Sequence, residues 1–366
     1  MGCAEGQVIA LIGTGTMPSD PFAAPRLAIR VGVVYRADEG GYQYSHHPSI
    51  VRFGDRFFAC WSNGLAGEDS PSQHVRYGTS ADGLHWAPSG VLAPDPDGPE
   101  GVERYCAAGL WVREGRLIAL ACRWGRVRYV EGDLPDGVWW ENARTEAFVF
   151  DGEDWQPQGV VLDNFLPNEA PRLLADGAYL WPGLDRKHNV VFARGGVAGL
   201  DAWDTVTLAP APDGHHMTEP SWYQTDDGAI HCLLRDNSGS GVLYCTESGD
   251  GGRSWTDPVP TNFPDATAKF HCLRLSDGRY AVISNPNGRD RLRIPLALSI
   301  SRDGAAFDSR FILRARPTQP RFTGQYKGPG DQYPNAIEYE GRLYVICSVN
   351  KEDVEVTVAE VPQRRP

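Results

Sequence analysis

The chain has 366 residues, of which 41% are hydrophobic and 10% aromatic, and its formal net charge is -12. A composition this apolar supports a large folded core and excludes a disordered chain. The acidic balance leaves no excess of lysine and arginine to neutralise phosphates, so duplex nucleic acid is excluded as a partner. The 41 glycines and 28 prolines are typical of many short strands joined by turns.

The N-terminal stretch, residues 1–15, is a poor candidate for a signal peptide. It has no basic region before its apolar run, and glycines interrupt that run. No apolar run elsewhere in the sequence is long enough to span a membrane, so no membrane partner is expected. We therefore expect a cytoplasmic location, with secretion as the alternative if a leader was removed.

Six apolar hairpins follow along the chain, each consisting of a strand, a tight glycine turn and a second strand. The turns lie at Gly54, Gly115, Gly177, Gly228, Gly278 and Gly341, which are separated by 61, 62, 51, 50 and 63 residues. No segment between these turns shows a long 3.6-residue periodicity, so units that alternate strand and helix are excluded. Each repeat has room for four short strands, which make one blade of a β-propeller.

These repeats predict an all-β fold with one domain, a six-bladed β-propeller. Seven blades, an open stack of hairpins and two sandwiches are the alternatives. The blades are expected roughly over residues 45–95, 104–160, 165–210, 216–260, 265–315 and 330–362. The apolar segment 29–36 is left over, and it would close the ring by pairing with residues 353–361, which would remove an exposed sheet edge.

A second repeat has the pattern S-x-D-x-G-x-x-W, known as the Asp-box. The full copy is Ser248–Trp255, with degenerate copies at Ser80–Trp86 and Ser301–Phe307 and a weaker one at Asp151. In such a turn the aspartate accepts backbone N–H bonds, a glycine takes a positive φ, and the aromatic side chain packs between blades. We interpret these turns as structural.

The cysteine and histidine patterns indicate neither a metal nor a cofactor. Most of the eight cysteines lie inside apolar runs, where we expect buried free thiols rather than disulfides, and no C-x-x-C spacing occurs. Adjacent histidines such as His215 and His216 are more often exposed than metal-bound.

Hairpin geometry brings the start of each first strand and the end of each second strand to the same mouth of the central channel. The residues at these positions are polar, charged or aromatic, whereas the strands between them are apolar, and this contrast is typical of a ligand pocket. The candidates at first-strand starts are His47, Glu169, Arg172, Glu219, Lys269, His271 and Tyr333. The candidates at second-strand ends are Trp61, Arg123, Arg235 and Asn285.

The stretch from Thr218 to Trp255, with Glu219-Pro, Leu-Leu-Arg235-Asp and a full Asp-box, resembles the sialidase superfamily of BNR-repeat propellers. Tyr333-Pro334 is similar to the tyrosine-bearing strand of that superfamily. The resemblance implies that Tyr333 is a nucleophile, that Glu219 is its general base, and that Arg235 binds a substrate carboxylate. It implies a glycoside hydrolase that acts on a terminal sugar of an acidic glycan.

Two further functions remain open on the same scaffold. The chain also looks similar to propellers that cleave rhamnosyl-glucuronate or ulvan linkages as lyases. In that case Arg123 and Arg235 would neutralise the carboxylate of a uronate, and His47 or Tyr333 would abstract the proton beside it. The third alternative is a glycan-binding propeller without activity. In each case the expected partner is an anionic oligosaccharide or polysaccharide.

Overall fold

The computed structural model describes residues 20–98, 101–134 and 137–363. Within these ranges the chain forms 25 strands and one short helix. The closing strand and the strands of the first three blades are β1 (Ile29–Tyr35), β2 (Tyr44–Phe53), β3 (Arg56–Gly64), β4 (His74–Ser80), β5 (Gly90–Ala93), β6 (Arg104–Arg113), β7 (Arg116–Trp124), β8 (Arg144–Phe150), β9 (Trp155–Asp163), β10 (Leu166–Pro167), β11 (Arg172–Leu173), β12 (Tyr179–Leu184), β13 (Val190–Gly195) and β14 (Trp203–Thr207). The helix α1 (Arg128–Glu131) lies between β7 and β8.

The remaining strands form the last three blades. They are β15 (Met217–Gln224), β16 (Ile230–Asp236), β17 (Val242–Ser248), β18 (Val259–Pro264), β19 (His271–Arg274), β20 (Tyr280–Ser284), β21 (Leu296–Ser301), β22 (Ser309–Arg314), β23 (Asp331–Tyr339), β24 (Arg342–Val349) and β25 (Asp353–Glu360).

These strands assemble into six antiparallel sheets, one per blade. Five sheets have four strands, and the third has five because β10 and β11 both pair with β12. The first strands of neighbouring blades lie against one another, as β2 does with β6 and with β23, so they surround a common axis. The predicted six-bladed β-propeller is therefore confirmed, and the seven-bladed, open-stack and sandwich alternatives are wrong.

Glycine turns join the first and second strands of the blades. In two of them, Glu114-Gly115 and Glu340-Gly341, both central residues have a positive φ, between 49° and 73°. This combination defines a type I′ turn, whose twist matches the right-handed twist of the flanking strands. Glycine takes this conformation without a steric penalty, which explains its recurrence at these turns.

The apolar core lies between the faces of adjacent blades. Trp61, Tyr344 and Val356 pack together where the sixth blade meets the first, and Tyr223, Phe263 and Phe307 do so between the fourth and fifth blades. Because each blade is covered on both faces, its middle strands are buried almost throughout, as in β24 and β25.

The strand β1 completes the sixth sheet. It pairs antiparallel with β25, with Ile29 opposite Ala359 and Val33 opposite Glu355. The last blade therefore takes its outer strand from the beginning of the chain and its other three strands from the end. This pairing links the two ends of the ring by hydrogen bonds.

The Asp-box turns have the structural role that the sequence predicts. The carboxylate of Asp250 accepts hydrogen bonds from the backbone N–H groups of Arg253 and Ser254, at 3.0 and 2.9 Å. The ring of Trp255 stacks on Phe192 of the third blade, with centroids 3.8 Å apart. The turn thus connects its own blade to the preceding one.

Seven cysteines, Cys60 to Cys347, are buried and free, which confirms the expectation for them. Cys3 and the N-terminal stretch 1–15 lie outside the described residues. Over the residues that are described, no helix is both long and apolar enough to cross a membrane.

Candidate functional site

The axial cavity is a depression of about 380 Å³ at one end of the central channel. Its wall is built from the starts of first strands, the ends of second strands and the loops beside them. Its lining includes His47, Glu68, Asp69, Glu219, Arg235, Lys269, Arg293, Tyr333 and Lys351. Five of the eleven candidate residues are in this set, namely His47, Glu219, Arg235, Lys269 and Tyr333.

Three of these side chains occupy equivalent positions in their blades. His47, Glu219 and Tyr333 each precede a proline in the first strand and have φ values of 53°, 47° and 53°. In all three strands the pairing register shifts at this point, which marks a β-bulge. Proline has no N–H to offer the ladder, so it fits the break. Positive φ is strained for these residues, and strain of this kind is characteristic of functional sites.

Tyr333, Glu219 and Arg235 form one hydrogen-bonded group. The phenol of Tyr333 donates to Oε1 of Glu219. Nη1 of Arg235 donates to Oε2 of Glu219 at 2.8 Å and to the Tyr333 oxygen at 3.1 Å. The Glu219 carboxylate is therefore placed to accept the phenol proton, while the guanidinium faces the phenol oxygen.

The electrostatics of this group keep glutamate charged and tyrosine neutral. Burial alone would raise the pKa of Glu219, but the charge of Arg235 and the hydrogen bonds from Tyr333 and Arg235 outweigh it and lower this pKa to about 2. Burial and the adjacent Glu219 charge raise the pKa of Tyr333 well above its ordinary value. The pair thus consists of a carboxylate base and a phenol that needs one.

The same cavity contains a second type of carboxyl group, that of Asp69, which can act as an acid. Burial, and next the charge of Glu68, raise the pKa of Asp69 to about 7. The hydroxyl of Tyr129 donates a hydrogen bond to its carboxyl. A carboxyl with this pKa is partly protonated at neutral pH and can give a proton to a leaving group. Sequence reasoning missed Glu68 and Asp69 because they lie in a loop after β3, where no strand periodicity marks them.

Three more cations surround the Tyr333 ring. The guanidinium carbon of Arg293 lies 5.4 Å from the ring centroid, and the ammonium nitrogens of Lys269 and Lys351 lie 5.7 and 5.8 Å from it. Lys351 is also paired with Glu68. Lys351 follows β24, at one of the second-strand ends that hairpin geometry brings to the cavity, whereas Arg293 was not among the candidates. Arg293 lies in the segment before β21, outside the hairpin positions that were considered.

Part of the cavity wall is aromatic. Its lining includes Trp124, Tyr129, Trp139 and Trp140 from the second blade, and Tyr326 from the segment before β23. Tyr129 and Tyr326 contact edge to face, with centroids 5.5 Å apart. Aromatic faces of this kind suit the apolar faces of sugar rings. The sequence offered one signal, the tryptophan pair 139–140, which was not used.

Arg123, Trp61 and Asn285 do not line the cavity. Arg123 is neutralised by Glu103 and lies 3.7 Å from Glu146, so the chain itself supplies its anionic partners. Trp61 is fully buried between blades. The Asn285 amide donates to backbone carbonyls, including that of Pro295 at 3.1 Å. The set proposed for a lyase is therefore not assembled, because Arg123 is missing from it.

Glu169, Arg172 and His271 also lie outside the lining and form a buried network of their own. The carboxylate of Glu169 pairs with Arg172 and lies 3.0 Å from Nδ1 of His271. The hydroxyl of Ser221 donates to the same carboxylate at 3.0 Å. Since these residues belong to the third, fourth and fifth blades, the network connects three blades close to the axis.

Comparison with known proteins supports the fold. The model of the BNR repeat-like domain family matches residues 133–345. No curated protein matches the sequence. A protein of unknown function from Dyadobacter fermentans DSM 18053 is similar in structure, with a TM-score of 0.70 and 17% identity over 91% of this chain and 99% of that one.

Two sialidase structures are also similar. The intramolecular trans-sialidase from Ruminococcus gnavus has a TM-score of 0.66 and 14% identity, over 92% of this chain and 99% of that one. A second structure, described as a sialidase, has a TM-score of 0.63 and 21% identity, over 93% of this chain but 33% of that one. Identities this low show a shared fold alone.

Proposed function

This chain belongs to the BNR repeat-like domain family, and we propose that it is a glycoside hydrolase that releases a terminal sugar from an acidic glycan. One observation carries the proposal. A tyrosine, its carboxylate base and an arginine are hydrogen-bonded to one another in a cavity that also contains a carboxyl group with a pKa of about 7. Such a pairing of a nucleophile and an acid is what glycoside hydrolysis with retention requires.

The reaction proceeds in two steps. In the first, the Tyr333 oxygen bonds to the anomeric carbon, Glu219 takes the phenol proton, and Asp69 gives its proton to the departing glycosidic oxygen. In the second, Asp69 takes a proton from water, the water oxygen replaces Tyr333 on the sugar, and Glu219 returns the proton to the phenol. The enzyme is restored, and one water is consumed per bond cleaved.

The charges of the cavity favour an anionic substrate. The cavity contains four cationic side chains, those of Arg235, Arg293, Lys269 and Lys351, and two carboxylates, those of Glu68 and Glu219. Because Asp69 is partly neutral, positive charge is in excess in the cavity although the whole chain is acidic. A carboxylate on the sugar suits this excess, and the phenol nucleophile approaches an anionic sugar with less repulsion than a carboxylate would. The aromatic side of the cavity accommodates the leaving sugar.

The test is incubation with a panel of acidic oligosaccharides, read by mass spectrometry. The expected result is release of a terminal sugar and, after a rapid acid quench, protein whose mass is increased by one sugar. Tyr333→Phe abolishes both signals, whereas Tyr339→Phe, at the other end of β23, leaves both unchanged. An unsaturated, ultraviolet-absorbing product would show a lyase instead, and binding without turnover would show a glycan-binding protein.

A further inference from the structure

A cluster of three potential metal ligands lies beside the ring of Tyr333, and none of the three transfers a proton in the reaction described above. His46, His47 and Glu68 each present one ligand atom, and these atoms lie within 4.8 Å of one another. The ring centroids of His46 and His47 lie 4.0 and 5.4 Å from that of Tyr333. His47 and Glu68 line the axial cavity, and His46 is buried beside them.

The hydrogen bonds around His47 leave its outer nitrogen free to coordinate. Oγ of Ser62 accepts from the backbone N–H of Ala107 at 2.9 Å and donates its proton to Cys106. The same hydroxyl lies 3.2 Å from Nδ1 of His47. Nε2 is therefore the ring nitrogen that lies toward Glu68.

This nitrogen faces a carboxylate oxygen. Nε2 of His47 lies 3.6 Å from Oε1 of Glu68, too far for a hydrogen bond. A cation coordinated by both atoms would occupy the gap between them.

His46 provides the independent observation. Its ring is fully buried, and Nε2 has no hydrogen-bond partner among the residues that the structure describes. Nδ1 lies 2.6 Å from Oγ of Ser348. A buried polar atom without a partner carries a desolvation cost, and such an atom calls for an unseen ligand or ion.

The groups behind the cluster have the arrangement of an outer ligand shell. A serine hydroxyl holds Nδ1 of each histidine, and Lys351 holds the second oxygen of Glu68. Metal-binding histidines and carboxylates are usually oriented by contacts of this kind. We propose that His46, His47 and Glu68 form a binding site for one divalent transition-metal ion of the zinc class, with an open coordination position toward the cavity.

The donor set favours that class of ion. Two imidazole nitrogens and one carboxylate oxygen suit Zn²⁺ and its neighbours, whereas Mg²⁺ and Ca²⁺ prefer oxygen ligands alone. Three protein ligands leave a position for water or a substrate oxygen. The nearby lysines oppose a cation, so we expect weaker binding than at a site without them.

The experiment measures binding and does not depend on the proposed reaction. Protein freed of metal with a chelator is titrated with Zn²⁺ by calorimetry and with Co²⁺ by visible absorption. We expect one ion per chain and a Co²⁺ spectrum of low coordination number. Glu68→Gln and His47→Gln, which keep similar side-chain volumes, each weaken binding at least 10-fold, on the scale of a lost ligand or orienting contact.

The matched control is the double variant His215→Gln/His216→Gln, which removes the other pair of adjacent histidines in the sequence. It binds like the parent. Melting temperatures identify a variant that fails to fold, and an anomalous diffraction peak from crystals soaked in Zn²⁺ then locates the ion in the parent protein. Absence of stoichiometric binding, a peak away from these three residues, or unchanged affinity in both ligand variants would overturn the proposal.

Discussion

Three residues of the candidate site lie at β-bulges, where the regular pairing of a first strand is interrupted. His47, Glu219 and Tyr333 enter the cavity from bulges with positive φ, each followed by a proline. A regular first strand would alternate its side chains between the two faces of the blade and direct none of them along the axis. Each bulge turns one side chain of its strand toward the cavity, and three residues that are distant in sequence therefore line the same cavity.

The protonation of Asp69 provides the first prediction at this scale. If Asp69 is the general acid, the rate falls as the pH rises through about 7, where the carboxyl loses its proton. Asp69→Asn lowers kcat/KM on natural glycosides on the order of 10²- to 10⁴-fold and has a smaller effect on substrates with an activated leaving group.

Asp265→Asn is the control for the pH profile. The pKa of Asp265 is likewise raised to about 7, chiefly by burial, but this residue does not line the cavity. The pH–rate profile of Asp265→Asn therefore keeps its alkaline limb. An alkaline limb that persisted in Asp69→Asn would assign the titration to another group.

Asp265 yields a second prediction, on stability. Between about pH 4 and pH 7 the folded chain keeps its proton on Asp265 while the unfolded chain has lost it, so this residue makes the parent less stable as pH rises. Asp265→Asn removes this dependence. The free energy of unfolding of the variant minus that of the parent should increase by about 4 kcal/mol over this range and level off above it.

Denaturant unfolding at a series of pH values measures this difference. If the buried asparagine lowers the free energy of unfolding by a constant amount, that amount does not change the slope of the difference against pH. Only the change of the difference with pH therefore tests the prediction. A difference that stayed flat from pH 4 to pH 8 would mean that Asp265 ionises normally in the folded chain.

At the scale of elements, the Asp-box turns join strands within a blade and fix one blade against the next. Asp250 organises the turn between β17 and β18, and Trp255 then reaches Phe192 in the neighbouring blade. Because these turns lie away from the cavity residues, their contribution to stability is separable from catalysis.

Asp250→Ala tests this separation. The carboxylate is exposed, so removing its hydrogen bonds to the turn should cost about 1 kcal/mol of unfolding free energy and leave kcat/KM unchanged. Thermal unfolding and steady-state kinetics on the same preparation measure both quantities. A large loss of activity at unchanged stability would show that the turn takes part in the site.

At the scale of the whole molecule, the ring depends on one close approach between its ends. A Cβ atom added to Gly32 in β1 would lie 2.4 Å from the backbone oxygen of Leu84, in the Asp-box turn of the first blade. Only a residue without a side chain lets the closing strand pack against that turn.

Gly32→Ala should weaken this contact. Overpacking against backbone costs about 1–3 kcal/mol, which a lowered melting temperature reports. The matched variant is Val31→Ala in the same strand, where the side chain is 44% exposed and the change should stay within about 0.5 kcal/mol. Equal melting temperatures for the two variants would show that the ends are not held by this contact.

The sequence by itself determined the blade count and the turn chemistry, because both depend on local patterns. Glycine turns and Asp-boxes recur at readable intervals, and each specifies its own backbone conformation. The first-strand candidates Glu219 and Tyr333 lie together in the cavity for the same reason, since a proline after a polar residue marks the start of an inner strand.

Only the tertiary structure decided which charges meet. Arg123 and Arg235 both follow apolar strands, yet Arg123 meets Glu103 whereas Arg235 faces Tyr333. Asp69 and Arg293 reach the cavity from loops, whose paths no periodicity records. The pairing of a charge depends on which distant segment lies beside it, and that is fixed by packing around the whole ring.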